Sequence, residues 1–265
     1  MAPTPADSLS TTAPTLTLRF LGVGNARASA LGSAAAVLES DGQPRLLIDC
    51  GPRTLDDYAA QYAGALPTAV FITHLHMDHI GGVEQLFYRT YFEDRGRVRL
   101  YVPCELVPAL HYKLANSPFV LSEGGANFWD AFRLVPVGDC FWLDDWLFSV
   151  FPVRHSGYRA AFGLALPGAF LYSGDTRPIP DVVERYANAG EPLFHDCGLH
   201  GSPAHAGLDD LQREYPPALL RRVVAYHYES AEAGARIAAA GVTLARPGEA
   251  HVLPPAIPAS ADSPR

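Results

Sequence analysis

The stretch that most constrains this chain is residues 69–79. An unbroken apolar run, Ala69-Val70-Phe71-Ile72-Thr73, leads directly into four side chains with metal-binding chemistry: His74, His76, Asp78 and His79. A short run rich in β-branched and aromatic residues reads as a fully buried strand, and such strands belong to sheets covered on both faces. Polar residues gathered just past the carboxyl end of a buried strand mark the place where α/β architectures build their sites. Imidazole nitrogens and carboxylate oxygens are donors that borderline divalent metals prefer. His74 and His76, two residues apart in a tight loop, can point the same way, while Asp78 and His79 open a helix. Donors split between two directions suit two neighbouring ions better than one. Gly81 and Gly82 carry no Cβ, so the helix start can lie close to the metal loop.

Apolar runs predict further strands at residues 16–22, 34–39, 45–49, 97–102, 147–153, 160–166, 169–173, 193–195 and 222–226. Helical patterning predicts helices at 54–63, 82–91, 105–114, 181–189 and 230–240. This alternation, with its hairpin-like β pairs, fits a layered α/β/β/α sandwich better than a purely parallel sheet. Residues 117–146 read as irregular and aromatic-rich, with Phe119, Phe128, Trp129, Phe132, Phe141, Trp142 and Trp146. These rings would line an apolar pocket or lid, or serve as ordinary core or a dimer contact. The Pro/Ala/Ser-rich ends, 1–14 and 254–265, are expected to be flexible tails around one domain at 15–253.

The composition, 48% hydrophobic and 18% charged, belongs to a chain with a sizeable core. A net charge of −8 repels a polyphosphate backbone, which disfavours a nucleic acid polymer as partner and leaves a small-molecule substrate. Cys50, Cys104, Cys140 and Cys197 form no C-x-x-C pair and read as reduced thiols. The start lacks the pattern of a signal peptide, and no apolar run approaches the roughly 20 residues of a membrane span. A cytoplasmic protein without a membrane partner is therefore expected.

The segment His74-Leu75-His76-Met77-Asp78-His79, followed by Ile80-Gly81-Gly82, resembles the H-x-H-x-D-H signature of the metallo-β-lactamase superfamily. The resemblance covers roughly residues 16–253. It implies a four-layer αββα sandwich and two divalent cations. The first site would be His74, His76 and His155, the last in Val153-Arg154-His155-Ser156. The second would be Asp78, His79 and His227, in Ala225-Tyr226-His227-Tyr228, with Asp175 of Ser173-Gly174-Asp175-Thr176 bridging. Asp49-Cys50-Gly51 resembles the early D-x-G turn that supports the site from behind. Zinc suits such an imidazole-rich set first, with manganese or iron as alternatives.

Two cations about 3.5–4 Å apart share a water and lower its pKa toward about 7, so a bridging hydroxide becomes the nucleophile. Asp78 would orient it or take its proton. This explains hydrolysis without choosing the bond. Phe194-His195-Asp196-Cys197 and His205 resemble segments of the ribonuclease Z-like, phosphodiesterase branch, which implies that His205 protonates the leaving oxygen and Asp196 holds its tautomer. A merely solvated histidine-rich loop is the plainer reading of His195, His200 and His205. The sequence also departs from that branch: Asp196 stands where Glu is usual, Ala206 and Gly207 replace Ser/Thr, and no Gly/Pro-rich basic arm for tRNA is found. The expected substrate is a small phosphodiester such as a cyclic nucleotide. The alternatives are a thioesterase or lactonase acting on an apolar acyl group, and a non-hydrolytic metal or ligand binder, against which the intact donor set argues. A homodimer is compatible with the sequence.

Overall fold

A computed structural model of the chain describes residues 13–93, 98–115, 119–121, 124–188 and 190–259. In chain order the strands are β1 (Leu16–Gly22), β2 (Ala35–Ser40), β3 (Gln43–Ile48), β4 (Ala69–Phe71), β5 (Val98–Pro103), β6 (Phe119–Leu121), β7 (Gly124–Ala126) and β8 (Phe132–Val137). There follow β9 (Cys140–Leu143), β10 (Trp146–Pro152), β11 (Phe162–Leu166), β12 (Phe170–Tyr172), β13 (Leu193–Asp196), β14 (Val223–Tyr226), β15 (Thr243–Leu244) and β16 (Ala250–Val252). The α-helices are α1 (Thr54–Gln61), α2 (Met77–Ile80), α3 (Val83–Glu93), α4 (Val107–Leu110), α5 (Pro180–Tyr186), α6 (Leu208–Glu214), α7 (Pro217–Leu220) and α8 (Ala231–Ala239).

Two seven-stranded sheets result, ordered β16-β1-β2-β3-β4-β5-β8 and β15-β14-β13-β12-β11-β10-β9. Each is antiparallel on one side and parallel on the other. The parallel halves are β3-β4-β5-β8 and β12-β13-β14-β15. Helix α1 packs on β1 of the first sheet and α8 on β15 of the second, giving the expected αββα layering.

β4, β12 and β14 are buried along their whole length, as their unbroken apolar runs require. The sheets meet through aromatic rings. Phe20 of β1 lies 5.5 Å from both Phe194 and Tyr226 and 6.3 Å from Tyr172, tying the first sheet to β12, β13 and β14. Phe71 of β4 stacks on Phe141 of β9 at 5.5 Å. Removing the Phe20 ring would cost about 3–5 kcal/mol, because so enclosed a site cannot collapse around the cavity.

Two expectations need correction. The helix predicted at 105–114 is broken into a 3-10 turn (Cys104–Leu106), the short α4 and a π turn (His111–Ala115). Pro108 has no N–H to continue a helix, so α4 starts afresh with the proline in its first turn. Residues 117–146 are more regular than expected. β8 runs parallel to β5 from Phe132 to Val137 and closes the edge of the first sheet, where Pro136 is tolerated. Phe128, Phe132 and Phe141 are core, and Trp129 stacks on His111. The side chain of Phe119 lies outside the described residues. Helices α6 and α7 and strands β15 and β16 are too short to show a period in the sequence.

Residues 1–12 and 260–265 of the expected tails also lie outside the described residues. Ile257 donates its N–H to Pro167 O at 2.8 Å. All four cysteines are free thiols. No helix among the described residues is long and apolar enough to cross a membrane.

Candidate active site

The site stands where parallel strands end. Asp49 follows β3, His74 and His76 follow β4, Asp175 follows β12, Asp196 closes β13, and His227 follows β14. Asp78 and His79 lie in α2, and His155 comes just beyond β10. Asp196 is paired in register with Tyr226, so β13 and β14 deliver Asp196 and His227 at the same height.

Close backbone packing fixes the loops. Cys50 N–H donates to His79 O at 2.7 Å, and Gly82 N–H donates to Cys50 O at 2.9 Å. A Cβ on Gly51 would fall 2.0 Å from Asp78 O, so only glycine lets the Asp49-Cys50-Gly51 turn touch α2. Asp49 and His227 both adopt left-handed backbone, with φ of 64° and 67°. Strain of this kind persists only when the surroundings hold it. Here Asp49 N–H donates to Phe71 O at 2.9 Å and His227 N–H to Val23 O at 2.7 Å.

The structure brings all seven expected metal ligands together in two groups: His74, His76 and His155; and Asp78, His79, Asp175 and His227, with donor atoms inside each group within 4.8 Å of one another. His76 Nδ1 is 3.1 Å from both His74 Nε2 and His155 Nε2. Asp175 Oδ2 is 3.2 Å from His79 Nε2, 3.2 Å from His227 Nε2 and 3.7 Å from His74 Nε2, so it lies between the groups. Asp78 Oδ2 is 3.5 Å from the Nε2 atoms of both His79 and His227.

The opposite ring nitrogens are held from behind, which fixes tautomer and orientation. His79 Nδ1 donates to Asp49 Oδ2 at 2.8 Å. His155 Nδ1 donates to Ala204 O at 2.9 Å. Thr73 Oγ1 donates to Asp49 Oδ2 at 2.7 Å and accepts from His74 Nδ1 at 3.1 Å. Buried Asp49, expected as a supporting residue, thus orients histidines of both groups.

Do these residues fit cations? His79 Nε2, His227 Nε2 and Asp175 Oδ1 are buried without a hydrogen-bond partner. Buried polar atoms are almost always paired, so orphans converging on one spot fit an ion. The 3.1 Å nitrogen spacings in the first group lie near the edge of about 3.3 Å for a tetrahedron of zinc–nitrogen bonds. The electrostatics agree. Burial, helped by His79, holds His74 well below the ordinary histidine range, and burial with His155 lowers His76. Burial also opposes charge on His79 and His227, but carboxylates outweigh it. Asp175 and Asp49 raise His79 well above its usual value, and Asp175 and Asp196 raise His227 to about 10. His74 and His76 therefore offer neutral nitrogen lone pairs, and the second group demands positive charge. The clusters are able to bind metal.

His205 lies beside both groups. Its Nδ1 is 2.7 Å from Asp196 Oδ2, and its ring lies 5.0 Å from that of His227 and 4.7 Å from that of His155. Burial would lower its pKa, but the bond to Asp196 and that carboxylate's charge raise it. The neighbouring histidines separate clearly. His195 is fully buried and serves structure, its Nε2 2.7 Å from Tyr215 Oη and its Nδ1 2.7 Å from Asp196 O. His200 is exposed.

A cleft of about 640 Å³ opens over His76, Asp78, Asp175, His205 and His227. Arg27, Arg53 and Lys113 line it, so a chain of net charge −8 presents cations at this mouth. Sequence reading missed these three. The signal for Lys113 was present, since it is the chain's single lysine. None of the aromatic residues 128–146 lines this cleft.

Two stacked mixed sheets flanked by helices, with this histidine–aspartate cluster at their strand ends, define a metallo-β-lactamase-fold protein. Solved structures share the fold: the metallo-β-lactamase fold protein YhfI of Bacillus subtilis (TM-score 0.68, 13% identity, 89% of this chain and 99% of that one). Others are a diphosphatase of the PhnP family (0.71, 20%, 92% and 99%) and human tRNase Z, short form (0.64, 19%, 90% and 99%). The chain belongs to the family described as Anti-Pycsar protein Apyc1, whose profile matches residues 16–251. Relatives bearing that name include one from Saccharibacillus brassicae, 31% identical over 74% of this chain and 83% of its own. Another, from Paenibacillus harenae, is 28% identical over 80% of this chain and 89% of its own.

Proposed function

We propose that this protein is a binuclear metal-dependent phosphodiesterase acting on a small nucleotide-like phosphodiester, a cyclic nucleotide in the first instance. The observation that carries this reading is the Asp196–His205 pair, which presents an imidazole to the same cleft as His76 of the first donor group and Asp78, Asp175 and His227 of the second. A phosphodiester needs such a proton donor because its alkoxide leaving group is poor. Metallo-β-lactamase-fold neighbours that include a diphosphatase and tRNase Z, and the cationic mouth of Arg27, Arg53 and Lys113, are consistent with a phosphoryl substrate.

His74, His76 and His155 would hold one cation and Asp78, His79 and His227 the other, with Asp175 between them. Zinc suits the set, and manganese or iron are alternatives. When bound, the cations supply Lewis-acid polarisation of the phosphoryl oxygens and an acidified water. The chain's own groups do the rest. Asp78, at the cleft side of the second group, orients the attacking water or takes its proton. The water oxygen joins phosphorus, the P–O ester bond breaks, and His205 Nε2 delivers its proton to the departing oxygen. Asp196 accepts from Nδ1, and its negative charge favours the imidazolium, so that Nε2 also carries a proton to deliver.

The test is a turnover panel with metal-replete protein: cyclic nucleotides, bis-p-nitrophenyl phosphate, an acyl-CoA thioester, a lactone and a β-lactam. Chelator-sensitive conversion of a cyclic nucleotide to a nucleoside monophosphate is expected. Turnover of thioester or lactone without phosphodiester hydrolysis would overturn the reading, as would less than about one bound metal per chain with no chelator-sensitive activity.

A further inference from the structure

A second groove, of about 650 Å³, meets the first cleft at His76 and Lys113. Its walls are mostly apolar, with Leu75, Leu106, Ala109, Tyr112 and Ala160 beside His74 and Ser156, and no acidic residue lines it among the described residues. Tyr112 is 76% exposed. Lys113 donates its Nζ to Leu75 O, inside the loop that carries His74 and His76, so its ammonium is pinned at the junction of the two cavities.

We infer that this groove is the nucleobase subsite, with Tyr112 as the stacking platform and Lys113 as the phosphoryl anchor at the junction. The inference rests on the phosphodiesterase reading. A cyclic nucleotide has one anionic end and one flat, largely apolar end. His76, Asp78, Asp175 and His227 line the first cleft, so the phosphoryl group must lie there. The base then needs an adjoining apolar space, and the groove is that space, with a volume in the range of small-molecule sites. A Tyr ring offers a π-face to any base. A lysine suits the junction because its compact ammonium binds phosphate as a point charge while its stem lies along apolar wall.

The experiment compares Tyr112→Phe and Tyr112→Leu in the metal-loaded enzyme. Leucine keeps an apolar wall, which an acyl chain would tolerate, but removes the stack. For a cyclic nucleotide, Tyr112→Leu should raise KM about tenfold with kcat little changed, the loss expected for one base–aromatic contact. Tyr112→Phe should keep the wild-type KM. An unchanged KM in Tyr112→Leu, or equal rises in both variants, overturns the inference.

A binding readout independent of turnover uses the single lysine. Acetylation of Lys113 by an amine reagent, read by mass spectrometry with the α-amino group as internal control, should be blocked by AMP. In Tyr112→Leu that protection should need about tenfold more AMP, while protection by inorganic phosphate is unmoved. AMP that protects both proteins equally, or that leaves Lys113 unprotected in both, overturns the subsite. Wild-type enzyme without cyclic-nucleotide turnover sinks the phosphodiesterase reading instead, and the labelling then decides the nucleotide subsite by itself.

Discussion

Asp196 serves two histidines at once: its Oδ2 lies 2.7 Å from His205 Nδ1, and its Oδ1 lies 3.4 Å from His227 Nδ1. One buried carboxylate thereby links the proposed proton donor to His227 of the second donor group. The same Oδ2 accepts Thr176 N–H at 2.9 Å, which holds the carboxylate in place.

His205→Ala should slow cyclic-nucleotide hydrolysis by about 10²–10⁴-fold, the usual contribution of a positioned general acid. Bis-p-nitrophenyl phosphate, whose leaving group departs without a proton, should lose far less. Steady-state kcat on both substrates checks this, and equal losses would remove the proposed acid role.

Asp49→Ala should lower metal affinity by about 10- to 100-fold, as expected when a partner that orients the ligands is lost. Asp49 touches no substrate. It accepts from His79 Nδ1 and from both Thr73 N and Thr73 Oγ1. Metal content after dialysis against graded chelator gives the measurement. Wild-type retention of metal would mean that the loops hold the ligands without it.

Gly51→Ala should disrupt the site from the backbone. Its Cβ would meet Asp78 O at 2.0 Å and Ser33 Cβ at 2.4 Å, so the turn or α2 must move. Expected together are a lower Tm and a loss of bound metal. A variant that keeps wild-type metal content and turnover would show that the turn can yield without disturbing Asp78.

The metal-free protein should lose an identifiable part of its stability in acid. Glu39 is 2% exposed and is bonded by Thr17 Oγ1 at 2.6 Å, Arg19 Nε at 2.7 Å and Tyr62 Oη at 2.7 Å. Burial opposes its ionisation, but these donors, Arg19 first, hold its pKa below the ordinary carboxylate value. A lowered folded pKa gives stability that is present above the unfolded value of about 4.3 and lost as pH falls through the folded one. Glu39→Gln should cost about 1.5–3 kcal/mol at neutral pH, a Tm loss of several degrees. The gap between the two proteins should close as pH drops below about 4.3, followed by thermal melts from pH 7 to 3. A gap that stays constant would assign the loss to packing instead.

Much of the architecture was legible because its signals are local. The runs Ala69–Phe71, Phe170–Tyr172 and Val223–Tyr226 are unbroken and apolar, and each is a buried strand with site residues just beyond it. Edge strand β8 was not legible: its burial alternates irregularly, and Pro136 argues against a strand until pairing with β5 places it at an edge. The helix predicted across 105–114 failed because a proline inside a helical pattern has two outcomes, kink or restart, and packing selects between them.

By itself the sequence determined which groups are available: the histidine–aspartate segment 74–79, the isolated His155, Asp175, His205 and His227, and the glycines that let backbones touch. Only the tertiary structure decided how they combine. It placed His195 in the core and His205 at the cleft, although both belong to one histidine-rich stretch, because β13 is buried and the loop before α6 is not. It also brought Lys113 and Tyr112 to the loop of His74 and His76 from a broken helix more than 30 residues further along the chain. Side-chain chemistry is written locally, but convergence depends on strand register and sheet packing, which are properties of the whole chain.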